Sequence, residues 1–69
     1  MNNLQKYRKE TGLSQAKFAK EMGWKQSRIG NYEARVRTPT LFYAKAIVRK
    51  LNELGVNCSL DDIFPSVQN

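Results

Sequence analysis

Apolar positions along the chain recur at three- and four-residue intervals, in short stretches that glycine and proline separate. Leu4, Tyr7 and Arg8 share one face of a first helix over about residues 3 to 11, and Gly12 can take the left-handed conformation that stops it. Ser14 is a good N-cap for a second helix, whose Phe18, Ala19 and Met22 form a buried stripe before Gly23. A third helix from about residue 26 turns Ile29, Tyr32 and Glu33 inward. Pro39 and Thr40 open a longer fourth helix in which Leu41, Ala44, Ile47, Val48 and Leu51 repeat with helical spacing as far as Gly55, as the hub of the core. Ser59 and Asp62 have the spacing of a capping box for a last short helix bearing Leu60, Ile63 and Phe64, which Pro65 closes. No segment alternates as a strand does, so the pattern predicts an all-α fold of five helices.

Length and composition narrow this picture. The 69 residues suit one domain over 1–69, with a short tail from about residue 65, because a chain of this size buries only about 60% of the surface it exposes when unfolded. At 41% hydrophobic residues the chain is too apolar for a disordered one. The lone Cys58 excludes an internal disulfide, and the absence of histidine removes any cluster with zinc-site spacing, so no metal or cofactor is expected. A reducing cytoplasm fits this cysteine usage. No apolar run approaches the roughly 20 residues of a membrane span, and the polar start Met1-Asn2-Asn3 is not a signal peptide. Without histidine, nucleophile motif, phosphate-cradling glycine loop or carboxylate pair in a plausible cleft, an enzyme is not expected, and no small-molecule ligand is implied.

Charge adds direction. The formal net charge is +6, but all 12 lysines and arginines lie at or before Lys50, opposed there only by Glu10, Glu21 and Glu33. Beyond Lys50 the charges are Glu53, Asp61 and Asp62, all acidic. Such asymmetry suggests one face aimed at a polyanion and an end kept away from it.

The stretch LSQAKFAKEMGWKQSRIGNYE, roughly residues 14 to 33, resembles the helix-turn-helix of the phage repressor and Cro family, the XRE-type bacterial regulators. Gln15, Ala19, Gly23, Ile29 and Tyr32 match the family's first-helix glutamine, small packing residue, turn glycine and two buried apolar positions. Each has a physical reason: Ala19 lets the second helix cross closely, Gly23 permits positive φ in the turn, and Ile29 and Tyr32 seal the pair against the core. The likeness extends over LQKYRKETGLSQ, YEARVRTPTL and SLDDIF. It implies a compact five-helix repressor-like domain with helices 2 and 3 as the motif, and a partner of double-stranded DNA. In the family the arginine matching Arg8 often pairs with the glutamate matching Glu33, and the inward projection of Glu33 agrees with such a pair.

With Ile29, Tyr32 and Glu33 inward, a count of about 100° per residue sets Ser27, Gly30 and Asn31 outward, with Gln26 and Arg28 on the flanks. Amides and hydroxyls there suit base edges: Gln or Asn engages adenine, Ser donates or accepts, and Arg bridges guanine N7 and O6. By resemblance, Gln26, Ser27 and Asn31 match base-contacting positions, and Gln15 matches a glutamine that contacts phosphate and braces the motif. Arg28 is grouped with these base-contacting residues, although it could reach either a guanine or a phosphate. Arg35 and Arg37 fall in the loop that in this family passes the sugar-phosphate backbone, and Thr40 opens a helix whose N-terminus can receive a phosphate.

Three departures from the family pattern bear on mechanism. Lys25 replaces the usual small N-cap of the recognition helix, at a cost of about 1 kcal/mol unless an anion such as a DNA phosphate relieves it. Trp24 replaces a smaller aliphatic residue, either packing outside the core or donating its indole N–H to a phosphate. Gly30 costs roughly 1 kcal/mol relative to alanine, as a close approach to the groove floor or as a neutral accident. Together Lys25 and Gly30 suggest a recognition helix fully formed only on DNA.

The short chain is most like a Cro-type repressor acting as a homodimer, at least on DNA, on a pseudo-palindromic operator. An antitoxin or a restriction-modification controller protein is the alternative. Val56, Leu60, Ile63, Phe64 and Val67 at the acidic end are candidates both for a dimer surface and for the core.

Overall fold

The computed structural model describes residues 2–65, and in them five helices follow one another without a strand. They are α1 (Leu4–Glu10), α2 (Gln15–Met22), α3 (Gln26–Glu33), α4 (Leu41–Glu53) and α5 (Leu60–Ile63). Local chemistry sets most of their ends. The Ser14 hydroxyl accepts from Lys17 N at 3.2 Å, the Thr40 hydroxyl accepts from Tyr43 N at 3.3 Å, and Ser59 and Asp62 close a reciprocal capping box at the head of α5. Gly23 ends α2 at φ 74°, in the left-handed region that glycine enters without a Cβ penalty. Its amide and that of Trp24 return to the last carbonyls of α2, which aims the chain directly into α3.

One core gathers side chains from all five helices. Leu4, Phe18, Ile29, Ile47, Leu51 and Ile63 are all shut off from solvent, with Phe64, Ala19 and Ala44 between them. Ala19 is 1% exposed and lies on the α2 face that meets α3, where its small side chain lets the two helices of the motif pack closely. The amino-terminal strand of chain is tied in as well: Asn3 N donates to Ile63 O at 2.9 Å, and Asn2 Nδ2 donates to Tyr32 O at 2.8 Å at the end of α3.

Two expectations about apolar residues need correction. Leu41, placed by periodicity in the hub of α4, is 45% exposed, and neighbouring Phe42 is 77% exposed. Both belong to the first turn of α4, which projects beyond the core that Ala44, Ile47 and Leu51 reach. At the acidic end, Val56, Ile63 and Phe64 are buried and Leu60 packs partly against the core, so they are not available to a dimer surface; Val67 lies outside the described residues. Of the large apolar side chains that are exposed, Leu54 stands at the end of α4, and Val36, Leu41 and Phe42 stand around the α3–α4 loop.

Candidate nucleic-acid interface

The site begins inside the protein. Arg8 on α1 is 6% exposed and donates from Nε to Glu33 Oε2 at 2.5 Å and from Nη2 to Glu33 Oε1 at 3.2 Å. Its remaining nitrogen, Nη1, donates to Leu13 O at 2.7 Å, so the buried guanidinium is satisfied on every side that the core closes. Gln15, the first residue of α2, donates from Nε2 to Glu33 Oε1 at 2.9 Å. Gln26, the first residue of α3, reaches Gln15 Oε1 at 3.4 Å. A line of polar contacts therefore runs from α1 through the end of α3 and the head of α2 to the head of α3, fixing the angle between the two helices of the motif.

Gly30 belongs to this line. A Cβ built at Gly30 would stand 3.4 Å from Gln15 Oε1, an ordinary van der Waals contact, so Gly30 lies directly against the α2 glutamine. That contact corrects the expectation that Gly30 faces straight outward: Gly30 and Gln26 both meet Gln15, so they lie on the flank of α3 beside α2. Directly outward stand Ser27, exposed, and Asn31, half-exposed, and neither side chain is engaged by another described residue.

The opposite flank carries a feature that sequence reasoning missed. Arg28 lies with its guanidinium carbon 5.1 Å from the Trp24 ring centre and 4.6 Å from the Tyr43 ring centre. The two rings meet edge to face at 5.3 Å, and Arg28 Nη1 donates to the Tyr32 hydroxyl at 3.4 Å. The hydrogen bond to the Tyr32 hydroxyl raises the guanidinium pKa above its ordinary value, against a smaller opposing desolvation, with Tyr43 adding to the rise. The Trp24, Arg28, Tyr32 spacing of four residues was a local signal for part of this cluster; Tyr43, on α4, gave none.

The cations group on the same side. Lys25 occupies the N-cap of α3 with extended backbone and no capping side-chain bond, yet α3 is helical from Gln26 to Glu33. Ile29 and Tyr32 anchor this helix from within, both being buried. Arg35 follows α3 at φ 63°, a left-handed conformation in a side chain that disfavours it, and Arg37 is exposed two residues on. Lys25, Arg28 and Arg37 line a shallow depression together with Ser27 and Asn31; Thr40 lies in an adjoining one with Arg28 and Arg37, and no carboxylate lines either.

A protein-family model described as helix-turn-helix matches residues 4–55, from the start of α1 to the end of α4. The chain belongs to the XRE-type helix-turn-helix family. Comparison with curated proteins and with solved structures returned no match. XRE-type members are DNA-binding transcription regulators rather than enzymes, and the chain is a regulator of that type, with double-stranded DNA as its partner. In this XRE-type regulator α2 and α3 are the motif and α3 is its recognition helix. Among the described residues no helix is long and apolar enough to cross a membrane, and no cluster of three metal-ligating side chains occurs.

Proposed function

We propose that this regulator is a Cro-type repressor that reads a pseudo-palindromic operator in the major groove as a dimer, residues 1–69 acting as one DNA-binding unit. The observation that carries the reading is the outward face of α3: the Ser27 and Asn31 side chains have no hydrogen-bond partner among the described residues, and they stand between the braced Gln26 on one flank and a cationic rim on the other. In the proposed division of labour, Gln26, Ser27 and Asn31 read base edges. Gln15, Lys25, Arg35, Arg37 and the head of α4 at Thr40 hold the sugar-phosphate backbone.

A single recognition helix covers too few base pairs for strong specificity, and two copies with helices about 34 Å apart would double the site. The exposed Val36, Leu41 and Phe42 support a self-contact beside the DNA-facing side. The test is selection from a random duplex library at about 150 mM salt. Asn31→Ala should relax preference at particular base pairs, whereas Arg37→Ala should weaken all sequences and lower the salt slope by about one. Equal effects of both variants on every sequence would contradict the division. Solution mass with the selected duplex checks the dimer, and Phe42→Ser should weaken it; one copy on a half-site would remove it.

A further inference from the structure

Arg28 stands on the flank of α3 that faces α4, packed against two touching rings, Trp24 and Tyr43, and that placement bears on which part of DNA it meets. We propose that Trp24, Tyr43 and the Tyr32 hydroxyl form an aromatic clamp that pre-positions Arg28 as a ligand for a DNA phosphodiester, not as a reader of bases. The proposal rests on the DNA-binding reading above and adds to it a role for three residues which that reading leaves unused.

Four observations carry it. Trp24 and Tyr43 lie 5.1 and 4.6 Å from the guanidinium carbon, and the Tyr32 hydroxyl takes one of its N–H groups, so the side chain is held toward α4, at the rim of the depression that Ser27 and Asn31 also line. The rings brace each other at 87°, with Phe42 edge-on to Tyr43 at 5.6 Å, so the clamp has walls of its own. Arg28 forms the wall shared by the two depressions that also contain Arg37, and neither holds an acid that would compete for it. Finally, no carboxylate among the described residues forms a salt bridge with Arg28, so the guanidinium N–H groups beyond those turned to the tyrosines remain for phosphate oxygens. An unheld arginine would lose its rotamer freedom on binding; a clamped one has lost it already, and the saving appears as affinity.

The test uses the full chain with two probes: a random-sequence duplex pool and the duplex best selected from it. Arg28→Ala should weaken both probes alike, by about ten-fold, and lower the salt slope by about 0.9. Tyr43→Leu should weaken both by about three-fold with the slope unchanged, since the charge still arrives but is no longer held. Tyr43→Phe, which keeps the ring, should restore binding. In the Arg28→Ala background, Tyr43→Leu should have no further effect. Trp24 is the sole tryptophan, so its emission reads the clamp in the free protein and should shift in both Arg28→Ala and Tyr43→Leu. Thermal melts confirm that each variant folds. Loss confined to the selected duplex in Arg28→Ala would make Arg28 a base reader and overturn the proposal, as would a Tyr43→Leu effect of equal size with and without Arg28. A wild-type chain that prefers no duplex in the pool would instead overturn the operator reading itself, before any variant is compared.

Discussion

Arg8 grips Glu33 through two nitrogens, Nε at 2.5 Å and Nη2 at 3.2 Å, with both side chains under a tenth exposed. The pair joins α1 to the last residue of the recognition helix, and Gln15 shares the same carboxylate. Removing one member leaves the other charged, buried and unmatched. Glu33→Ala or Arg8→Ala should therefore cost about 3 kcal/mol or more, a large share of the stability of a domain this small. Urea denaturation of each variant checks the figure. An Arg8→Met/Glu33→Leu double variant should be more stable than either single one, because it removes both charges from the interior.

Lys25 is the wrong residue for an N-cap and the right one for a phosphate. Its position has the extended backbone of a cap, φ −74° and ψ 147°, without a side-chain acceptor for the free amides of α3. Lys25→Ser should raise stability by about 1 kcal/mol. The same change should weaken DNA binding and lower the salt slope by about one. Stability and affinity moving together would show that the lysine does not face the backbone.

Arg35 presents a parallel trade. Its φ of 63° costs a non-glycine residue about 1–2 kcal/mol, part of which Arg35→Gly would return to the unfolded chain as entropy. The expected net gain is about 0.5 kcal/mol, read from the denaturation midpoint, with a loss of affinity that is uniform across duplex sequences.

Cys58 connects stability to alkaline pH. Burial, then the nearby charges of Asp62 and Glu10, raise its thiol pKa above the ordinary 9.0. The folded state thus holds the proton more tightly than the unfolded one, so the contribution is whole below the unfolded pKa and is lost as pH rises through the folded pKa. Stability should fall above about pH 9, and Cys58→Ala should flatten that fall. Between about pH 6 and 7 both stability and affinity should be nearly level, because the chain has no histidine to titrate there.

Of the site, the sequence already marked Ser27 and Asn31 as outward, since the direction of a side chain on one short helix follows from its own periodicity once Ile29 and Tyr32 are known to be inside. The same reasoning misplaced Gly30, whose neighbour is a residue fifteen positions earlier, and left Arg28 undecided, because half of its clamp comes from Tyr43 on another helix. Leu41 and Phe42 failed for a related reason: an apolar residue on the inward stripe is buried only if another element extends far enough to cover it, and the first turn of α4 extends past its neighbours.

The sequence by itself determined where the helices start and stop, through Ser14, Gly23, Thr40 and the Ser59–Asp62 box, and which face of α3 points outward. These depend on hydrogen bonds and dihedral preferences within a few residues, so adjacent letters suffice to specify them. Tertiary structure alone decided that Gln15 lies against Gly30, that Arg28 packs on the Trp24–Tyr43 ring pair, and that Val56, Ile63 and Phe64 fold into the core. Those outcomes depend on how segments far apart in the chain cross one another, and crossing geometry is set by the packing of the whole core.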